Sequence, residues 1–332
     1  MDKTNEKTGN SGGHAALKRN GLLALVGLLC LLPFAINDYL LFVANTMLVY
    51  CLVAVGLNMV IGYLGQLAFA SAAFFGIGAY VTGLSMVHLG LGYSAAMVAG
   101  TVCGGLAGAV VGLPALRVRG YYLAIITLAF GELMRWFYVH TDTITFGSGG
   151  FNMPDMSFLG HELSGTGKYY LFLAAMVIGI AATSLLLRSR YGRAFVAVRN
   201  NEQAAASLGI QVNRTKVMAF AWSGLITGLA GALYAALNGR VSPDTFGISQ
   251  MLMHFAIVMI GGLGSLAGSV IGAVLLTGLP ELLRNFPGLE EIVFSVLLIV
   301  VLFFMPKGIS GFLGNHFPWL RERLYREEKK NA

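Results

Sequence analysis

Ten apolar runs follow one another along this 332-residue chain, most of them about 16–23 residues long. Hydrophobic residues make up 56% of the sequence and charged residues 11%, whereas a soluble domain carries about 25% charged residues. Runs of this length match α-helices that cross a hydrocarbon core about 30 Å thick. The sequence therefore predicts an all-α integral membrane protein with about ten transmembrane helices. The predicted spans are 21–36, 39–61, 66–88, 93–113, 120–139, 169–187, 217–237, 249–262, 265–283 and 291–305.

The distribution of positive charge predicts the orientation of these spans. With the N-terminus inside, the inner segments 1–20, 114–119, 188–216 and 306–332 hold 18 of the 22 Lys and Arg residues. Because positive charge concentrates in cytoplasmic loops, both termini are expected in the cytoplasm. The chain then divides into a cytoplasmic tail (1–20), a transmembrane domain (21–305) and a second cytoplasmic tail (306–332). The net charge of +7 follows from this skew and does not indicate nucleic-acid binding.

Glycine ladders at matching places suggest an inverted repeat of five plus five spans, an architecture common in transporters. Gly100, Gly104, Gly108 and Gly112 recur every four residues in the fourth span, and Gly264, Gly268 and Gly272 do so in the ninth. The alternative is that these glycines only let helices pack closely in lipid.

The segment 188–216 is the long basic loop between two spans, with six Lys and Arg and one acidic residue, Glu202. It has the residues of a short capped helix. Asn200 or Asn201 can cap its start, Glu202 lies in its first turn, and Gly209 can end it in a left-handed conformation. A short rigid helix at a membrane surface is a structure that a second protein can grip.

Polar residues within the spans are few. Glu132 and Arg135 lie three residues apart on one helix, so they share a face and can neutralise each other. This pair is either structural or part of a gate or ion path. The other polar residues are scattered and are expected to join neighbouring helices: Asn45, Asn58, Gln66, His88, His254 and Glu281. The histidines form no cluster, so no metal site is expected.

Two further segments are candidates for contact with a substrate or partner. The small residues that follow Gln66 allow backbone to line a cavity. The candidate path residues are Gln66, Ser71, Gly76 and Gly78, with plain helix packing as the alternative. The largest predicted outer loop, 140–168, contains TFGSGGF. Its Gly147 and Gly150 are candidate contacts for a ligand or partner on that side of the membrane, with an ordinary loop as the alternative.

Several long motifs, in order from about residue 39 to 312, resemble the membrane permeases of branched-chain amino acid ABC importers. They are GYLGQLAFASAAFFGIGAY (62–80), GLPALRVRGYYLAIITLAFGELMR (112–135), RSRYGRAFVAVRNNEQAAASLGI (188–210), the segment 234–273 and LPELLR (279–284). In the third motif, Glu202, Ala205, Gly209 and Ile210 have the spacing of that family's coupling loop.

The resemblance implies a transport subunit of the bacterial inner membrane that is not itself an enzyme. It implies a second permease subunit, two ATP-binding subunits that hold ATP and Mg²⁺, and a periplasmic substrate-binding protein. The helix around 202–208 would dock on an ATP-binding subunit. Arg193 and Arg199 would contact acidic residues at its rim, or face lipid headgroups. This chain would bind no cofactor of its own.

Three departures from the family pattern bear on substrate and coupling. Ala70-Ser71 stand where the family often has Gly-His, Phe146 replaces a loop glycine, and Asn200-Asn201 replace common acidic residues. The first two leave urea or short amides as alternative substrates to leucine, isoleucine or valine. The other function classes are an ion-gradient-driven secondary transporter and a membrane enzyme. The first needs ionisable residues facing a midplane cavity, and the second needs a catalytic cluster, which the sequence does not display.

Overall fold

The computed structural model describes residues 27, 29–34, 36–118, 120–154, 157–158, 161–162, 165–283, 293, 296, 299 and 308–311. Helices dominate this part of the chain, which confirms the predicted all-α membrane class. Seven of its helices are long and apolar enough to cross a membrane, and an eighth is apolar but shorter. The membrane helices are α1 (Asp38–Asn58, continued by a π-helical turn Met59–Tyr63), α2 (Ser71–Leu89), α3 (Tyr93–Gly112), α4 (Tyr121–His140), α5 (Gly165–Arg188), α8 (Val212–Asn238), the shorter α9 (Ile248–Gly261) and α10 (Leu266–Leu283); α6 (Arg190–Asn200) and α7 (Glu202–Ser207) lie between α5 and α8.

These eight membrane helices match eight of the predicted spans to within five residues at each end. The predicted spans 21–36 and 291–305 fall only partly among the described residues, and the tails 1–20 and 306–332 fall almost wholly outside them. The total of ten spans and the inverted repeat therefore stay predictions.

Helix α8 is the centre of the bundle and packs against α3, α2 and α1. Glycines allow this close approach. A Cβ atom added at Gly104 would lie 2.6 Å from the carbonyl oxygen of Gly224, and one added at Gly100 would lie 2.6 Å from that of Gly78. In the ninth predicted span, Gly268 meets the backbone of Gly261 on α9 in the same way. Both glycine ladders therefore serve close helix packing.

The start of the second membrane helix corrects the predicted span 66–88. Helix α2 begins at Ser71 and not at Gln66. After the π-helical turn the chain is not helical from Gln66 to Ala70. Gly65 has φ = +74°, a left-handed conformation that favours glycine. This interruption, residues 64–70, is called the α1–α2 break below. The hydropathy of these small residues does not reveal it.

The described residues of the predicted loop 140–168 form short elements at the end of the bundle opposite α6 and α7. A helical turn (Asp142–Thr145) and a 3₁₀ turn (Gly147–Gly149) precede strand β1 (Phe151–Asn152). Strands β2 (Ser157–Phe158) and β3 (His161–Glu162) pair with each other, and β1 pairs antiparallel with β4 (Arg240–Val241). The β1–β4 pairing ties this loop to the connection between α8 and α9.

Candidate coupling site and transport path

The basic loop, residues 188–216, folds into two capped helices rather than one. The side chain of Ser189 accepts from the backbone N–H of Tyr191 at the start of α6. Asn201 caps α7, since its Oδ1 accepts from the N–H groups of Gln203 (2.9 Å) and Ala204 (3.0 Å). Gly209 follows α7 with φ = +82°. The cap and the left-handed glycine are those that the sequence predicts, whereas helix α6 was not predicted.

Glu202, the first residue of α7, points into the protein and not toward the surface. Its Oε1 lies 2.7 Å from Nζ of Lys216, whose side chain is 1% exposed. The Lys216 ammonium also donates to the carbonyl oxygen of Ala115 (3.3 Å), in the turn between α3 and α4. From the other side, Nε2 of Gln66 donates to Glu202 Oε1 (3.1 Å). Lys216 of α8 and Gln66 of the α1–α2 break thus both contact the Glu202 carboxylate of α7, and Lys216 also connects it to the turn between α3 and α4.

Arg199, at the end of α6, makes a second connection to the α1–α2 break. Its guanidinium donates to the carbonyl oxygen of Gly62 (2.6 Å). Its aliphatic stem packs on Gly65, where an added Cβ would lie 2.6 Å from Arg199 Cγ. Arg193 and Arg199 are both exposed, and Arg199 makes its contacts with Gly62 and Gly65. A contact of either arginine with an ATP-binding subunit stays a prediction.

The outer face of α7 is free of these internal contacts. Ala205 is buried, and Gly209 is exposed. Leu208, directly after α7, is 81% exposed. An open pocket of about 470 Å³ lies next to it, lined by Ala206, Ile210, Gln211, Val212, Asn213 and Arg214. The surface around the end of α7 thus combines an exposed apolar side chain with an open pocket.

At the other end of the α1–α2 break, Ser71 opens α2 beside a buried polar cluster. Its Oγ lies 3.3 Å from Nδ1 of His254 on α9. The His254 Nε2 lies 3.0 Å from the amide nitrogen of Gln250, which donates to the hydroxyl oxygen of Tyr50 (2.7 Å). His254 is completely buried. The cluster joins α1, α2 and α9, as expected for polar residues that connect membrane helices.

The candidate path residues thus have different surroundings. Gln66 lies within the break and Ser71 directly follows it, and both make the polar contacts described above. Gly76 faces aromatic rings, because an added Cβ would lie 3.1 Å from atoms of both Phe246 and Tyr138. Gly78 packs on the backbone of Gly228 in α8, so its surroundings are those of helix packing.

An aromatic layer covers the polar cluster toward the opposite end of the bundle. The rings of Tyr80 and Tyr138 are stacked 3.9 Å apart with planes 8° from parallel. Phe246 lies edge-on to Tyr80 and also to Phe75, which in turn contacts His254. These rings come from α2, α4 and the turn before α9. Together with His254 they form one continuous group of ring contacts beside the polar cluster.

Glu132 and Arg135 form the ion pair that their spacing predicts. The distance from Arg135 Nε to Glu132 Oε2 is 3.2 Å, and the two side chains are 40% and 35% exposed. Arg135 also lies 3.6 Å from Asp244, which is 84% exposed. Their positions near the end of α4 place this group close to the opposite end of the bundle. A role in gating stays a prediction.

The candidate loop glycines have tight backbone surroundings. Gly147 is buried beside Asp142, and Gly150 lies against Val241 of β4; both have φ = +63°. Phe146 also has φ = +63°, and its ring stacks on His88 at 5.5 Å. A non-glycine residue adopts this conformation at a cost. The contacts of Gly147 and Gly150 with a partner stay predictions.

Sequence reasoning missed Lys216 and Leu208 as members of this site. Lys216 counts in the sequence as one more basic loop residue, yet it lies on α8 and is buried. Helix α8 begins five residues before the predicted span 217–237, at Val212, and a helical Lys216 then faces the bundle. Leu208 lies at the end of the predicted docking helix 202–208, and its exposure depends on how that helix packs, which the sequence does not show.

Comparison with known proteins places these features in a family. Residues 39–306 match the family model described as the permease component of the branched-chain amino acid transport system. The chain is 33% identical over 313 residues to the high-affinity branched-chain amino acid transport system permease protein LivM of Escherichia coli (strain K12), covering 87% of this chain and 74% of that protein. It is 27% identical over 283 residues to LivH of Salmonella typhimurium, a permease of the same description, covering 79% and 91%.

A third relative matches over a shorter region. The autoinducer 2 import system permease protein LsrC of Klebsiella pneumoniae is 37% identical over 122 residues, which is 35% of each chain. No solved structure matches the chain. Because the family model covers most of the sequence, the chain belongs to the family of branched-chain amino acid transport permeases.

Proposed function

We propose that this protein is the permease subunit of an ATP-binding cassette importer that carries a branched-chain or related amino acid across the bacterial inner membrane. Its family and its LivM and LivH relatives support this function. The observation that carries it is the construction of α7. This short helix is capped at both ends, is anchored to the bundle by Glu202, and presents a free outer face with Leu208 exposed.

The proposal includes partners that this chain needs for transport. The two differently named permeases among its relatives support a second permease subunit beside it. Two ATP-binding subunits would bind α7 from the cytoplasm and hold ATP and Mg²⁺, and a periplasmic binding protein would deliver substrate. Both termini would then lie in the cytoplasm, as the distribution of Lys and Arg predicts. The chain itself performs no catalysis.

An ion-gradient-driven transporter is the alternative class, and the site argues against it. Such a protein needs ionisable groups that face a midplane cavity. Glu132 and Arg135 neutralise each other and lie near one end of α4. His254 is fully buried among hydrogen-bonding partners. Neither group is placed to carry an ion through the membrane.

The test is uptake by the complete importer in proteoliposomes, with this chain, its partner permease and both ATP-binding subunits. Labelled leucine, isoleucine, valine and urea are supplied with the periplasmic binding protein outside and ATP inside. We expect accumulation of an amino acid that requires hydrolysable ATP and is unaffected by a protonophore. Accumulation by this chain alone, driven by a proton or sodium gradient, would overturn the proposal. Uptake of urea alone would change the substrate but not the mechanism.

A further inference from the structure

Lys216 lies on α8, the helix at the centre of the bundle, and its side chain is 1% exposed. A lysine is almost never fully buried unless it is paired, and burying an ammonium group carries a large desolvation cost. Here the charge is matched by Glu202 at 2.7 Å and by the carbonyl oxygen of Ala115 at 3.3 Å. An aliphatic side chain at this position would fill the same space without that cost. The charge therefore needs an explanation beyond packing.

The contacts of Lys216 and Glu202 join α7 to the segments of the bundle that would have to follow a movement of α7. Glu202 begins α7, and Ala115 belongs to the turn between α3 and α4. Gln66, which also donates to Glu202, lies in the α1–α2 break. Arg199 adds a parallel contact from the end of α6 to Gly62, just before the break. One carboxylate and one ammonium thus connect α7 to three separate parts of the bundle.

The α1–α2 break leads directly to the buried polar cluster. Four residues separate Gln66 from Ser71, whose hydroxyl contacts His254. The backbone N–H of Phe69, between them, donates to Oγ1 of Thr127 on α4 (2.8 Å). The same short segment therefore contacts α7 at one end, α4 in its middle and α9 at its other end. A displacement of Gln66 has a continuous path of contacts to the cluster.

We infer that the buried Lys216–Glu202 pair is a positioning device that makes α7 move as one body with the α3–α4 turn and the α1–α2 break. Without the pair, α7 still docks on its partner, but it moves against the bundle instead of with it. This inference rests on the proposed function, because it assumes that an ATP-binding subunit moves α7. Lys216 and Glu202 act here through the segments they hold, and neither is assigned a contact with substrate.

The experiment uses the complete importer in proteoliposomes and measures both uptake and ATP hydrolysis. The variants are Lys216→Met, the double variant Glu202→Leu with Lys216→Met, and the matched control Arg188→Met, an exposed cation at the end of α5. The double variant removes both charges of the pair, so it separates loss of folding from loss of coupling. The amount of ATP-binding subunit that co-purifies reports assembly.

We expect the double variant to assemble like the unmodified protein and to hydrolyse ATP, with the ratio of substrate transported to ATP hydrolysed falling about tenfold. Arg188→Met should keep the original ratio. A double variant that assembles and keeps that ratio would show that the pair serves only stability, and would overturn the inference. A fall of the ratio in Arg188→Met to the same extent would also overturn it. Uptake by the unmodified importer without ATP would instead overturn the proposed function.

A second measurement tests rigid movement without relying on uptake. Spin labels at Ser207→Cys and Arg117→Cys, both exposed positions, report the distance between α7 and the α3–α4 turn in a background without the three native cysteines. In the otherwise unmodified importer, we expect one narrow distance distribution with and without ATP and vanadate. With Lys216→Met, it should broaden or shift when ATP binds. A distribution that changes equally in both proteins would overturn the inference.

Discussion

Two ion pairs at opposite ends of the bundle have similar chemistry and different surroundings. Glu202–Lys216 is buried and joins α7 to α8. It also makes hydrogen bonds with the α1–α2 break and with the turn between α3 and α4. Glu132–Arg135 lies on one helix, is more than a third exposed, and contacts the exposed Asp244. Exposed pairs contribute little to stability, whereas breaking a buried pair is costly. The comparison therefore indicates that the structure depends on its charges at the basic-loop end and much less at the other end.

The largest expected effect comes from breaking the buried pair on one side. Lys216→Met removes the buried cation beside the Glu202 carboxylate, and we expect a loss of about 3–5 kcal/mol in stability. Thermal inactivation of the purified importer, followed by loss of monodisperse complex, measures this. Arg188→Met is the control and should change the midpoint little, because Arg188 is exposed. If both variants lose the same stability, the burial of the Glu202–Lys216 pair does not explain its contribution to stability.

The next largest loss of stability is expected at Asn58, a buried polar residue without charge. It shows how much of the effect at the buried ion pair is due to charge and how much to buried hydrogen bonds. Asn58 donates to the Ser265 carbonyl oxygen (2.9 Å) and to Ser269 Oγ (2.7 Å), and accepts from Gly264 N–H (2.8 Å). At about 0.6 kcal/mol for each hydrogen bond between membrane helices, Asn58→Leu should cost about 2 kcal/mol.

The control for Asn58→Leu is Asn45→Leu on the same helix. Asn45 is buried, and its Oδ1 accepts no hydrogen bond from the residues that the structure describes. Its replacement should change thermal stability by much less. Equal losses in the two variants would mean that the hydrogen bonds of Asn58 to the α9–α10 turn contribute nothing specific.

Gly209→Val tests the end of α7 and should mainly affect transport. A left-handed conformation costs a residue with a side chain about 1–2 kcal/mol, and a β-branched residue is especially unsuited to it. We expect insertion and ATP hydrolysis to persist while uptake falls severalfold. Gly90→Val is a matched control, since Gly90 ends α2 with φ = +62° at the far end of the bundle, and its added Cβ also meets open space. Full uptake by Gly209→Val would contradict the proposal that the capped helix α7 transmits movement from the ATP-binding subunit to the bundle.

The smallest effect is expected at the exposed pair. Glu132→Gln should change stability by less than about 1 kcal/mol, because solvent or headgroups already screen this pair. ATP-dependent uptake should be retained within about twofold, as measured in the same proteoliposomes. Abolished uptake with normal assembly would revive a gating role for Glu132 and would favour the ion-driven alternative.

Sequence reasoning predicted the helices well and their interruptions poorly. Apolar length is a local property, so the spans follow directly from the runs of residues. The α1–α2 break is set by Gly65 and by contacts such as Phe69 N–H with Thr127, which come from residues far apart in the chain. Cap chemistry is also local, which is why Asn201 and Gly209 were predicted. The Lys216–Glu202–Gln66 contact was not, because Gln66 and Glu202 are 136 positions apart.

The seven-residue interruption before α2 has a consequence for how the protein is made. Lipid offers no hydrogen-bonding partners to non-helical backbone, so such a stretch exists within a bilayer only when protein encloses it. The partners of the interruption come from α4 and from the loop before α8, and the chain emerges from the ribosome long before they do. Residues 64–70 can therefore reach their final shape only in a late step of biogenesis, after the downstream helices have been inserted beside them.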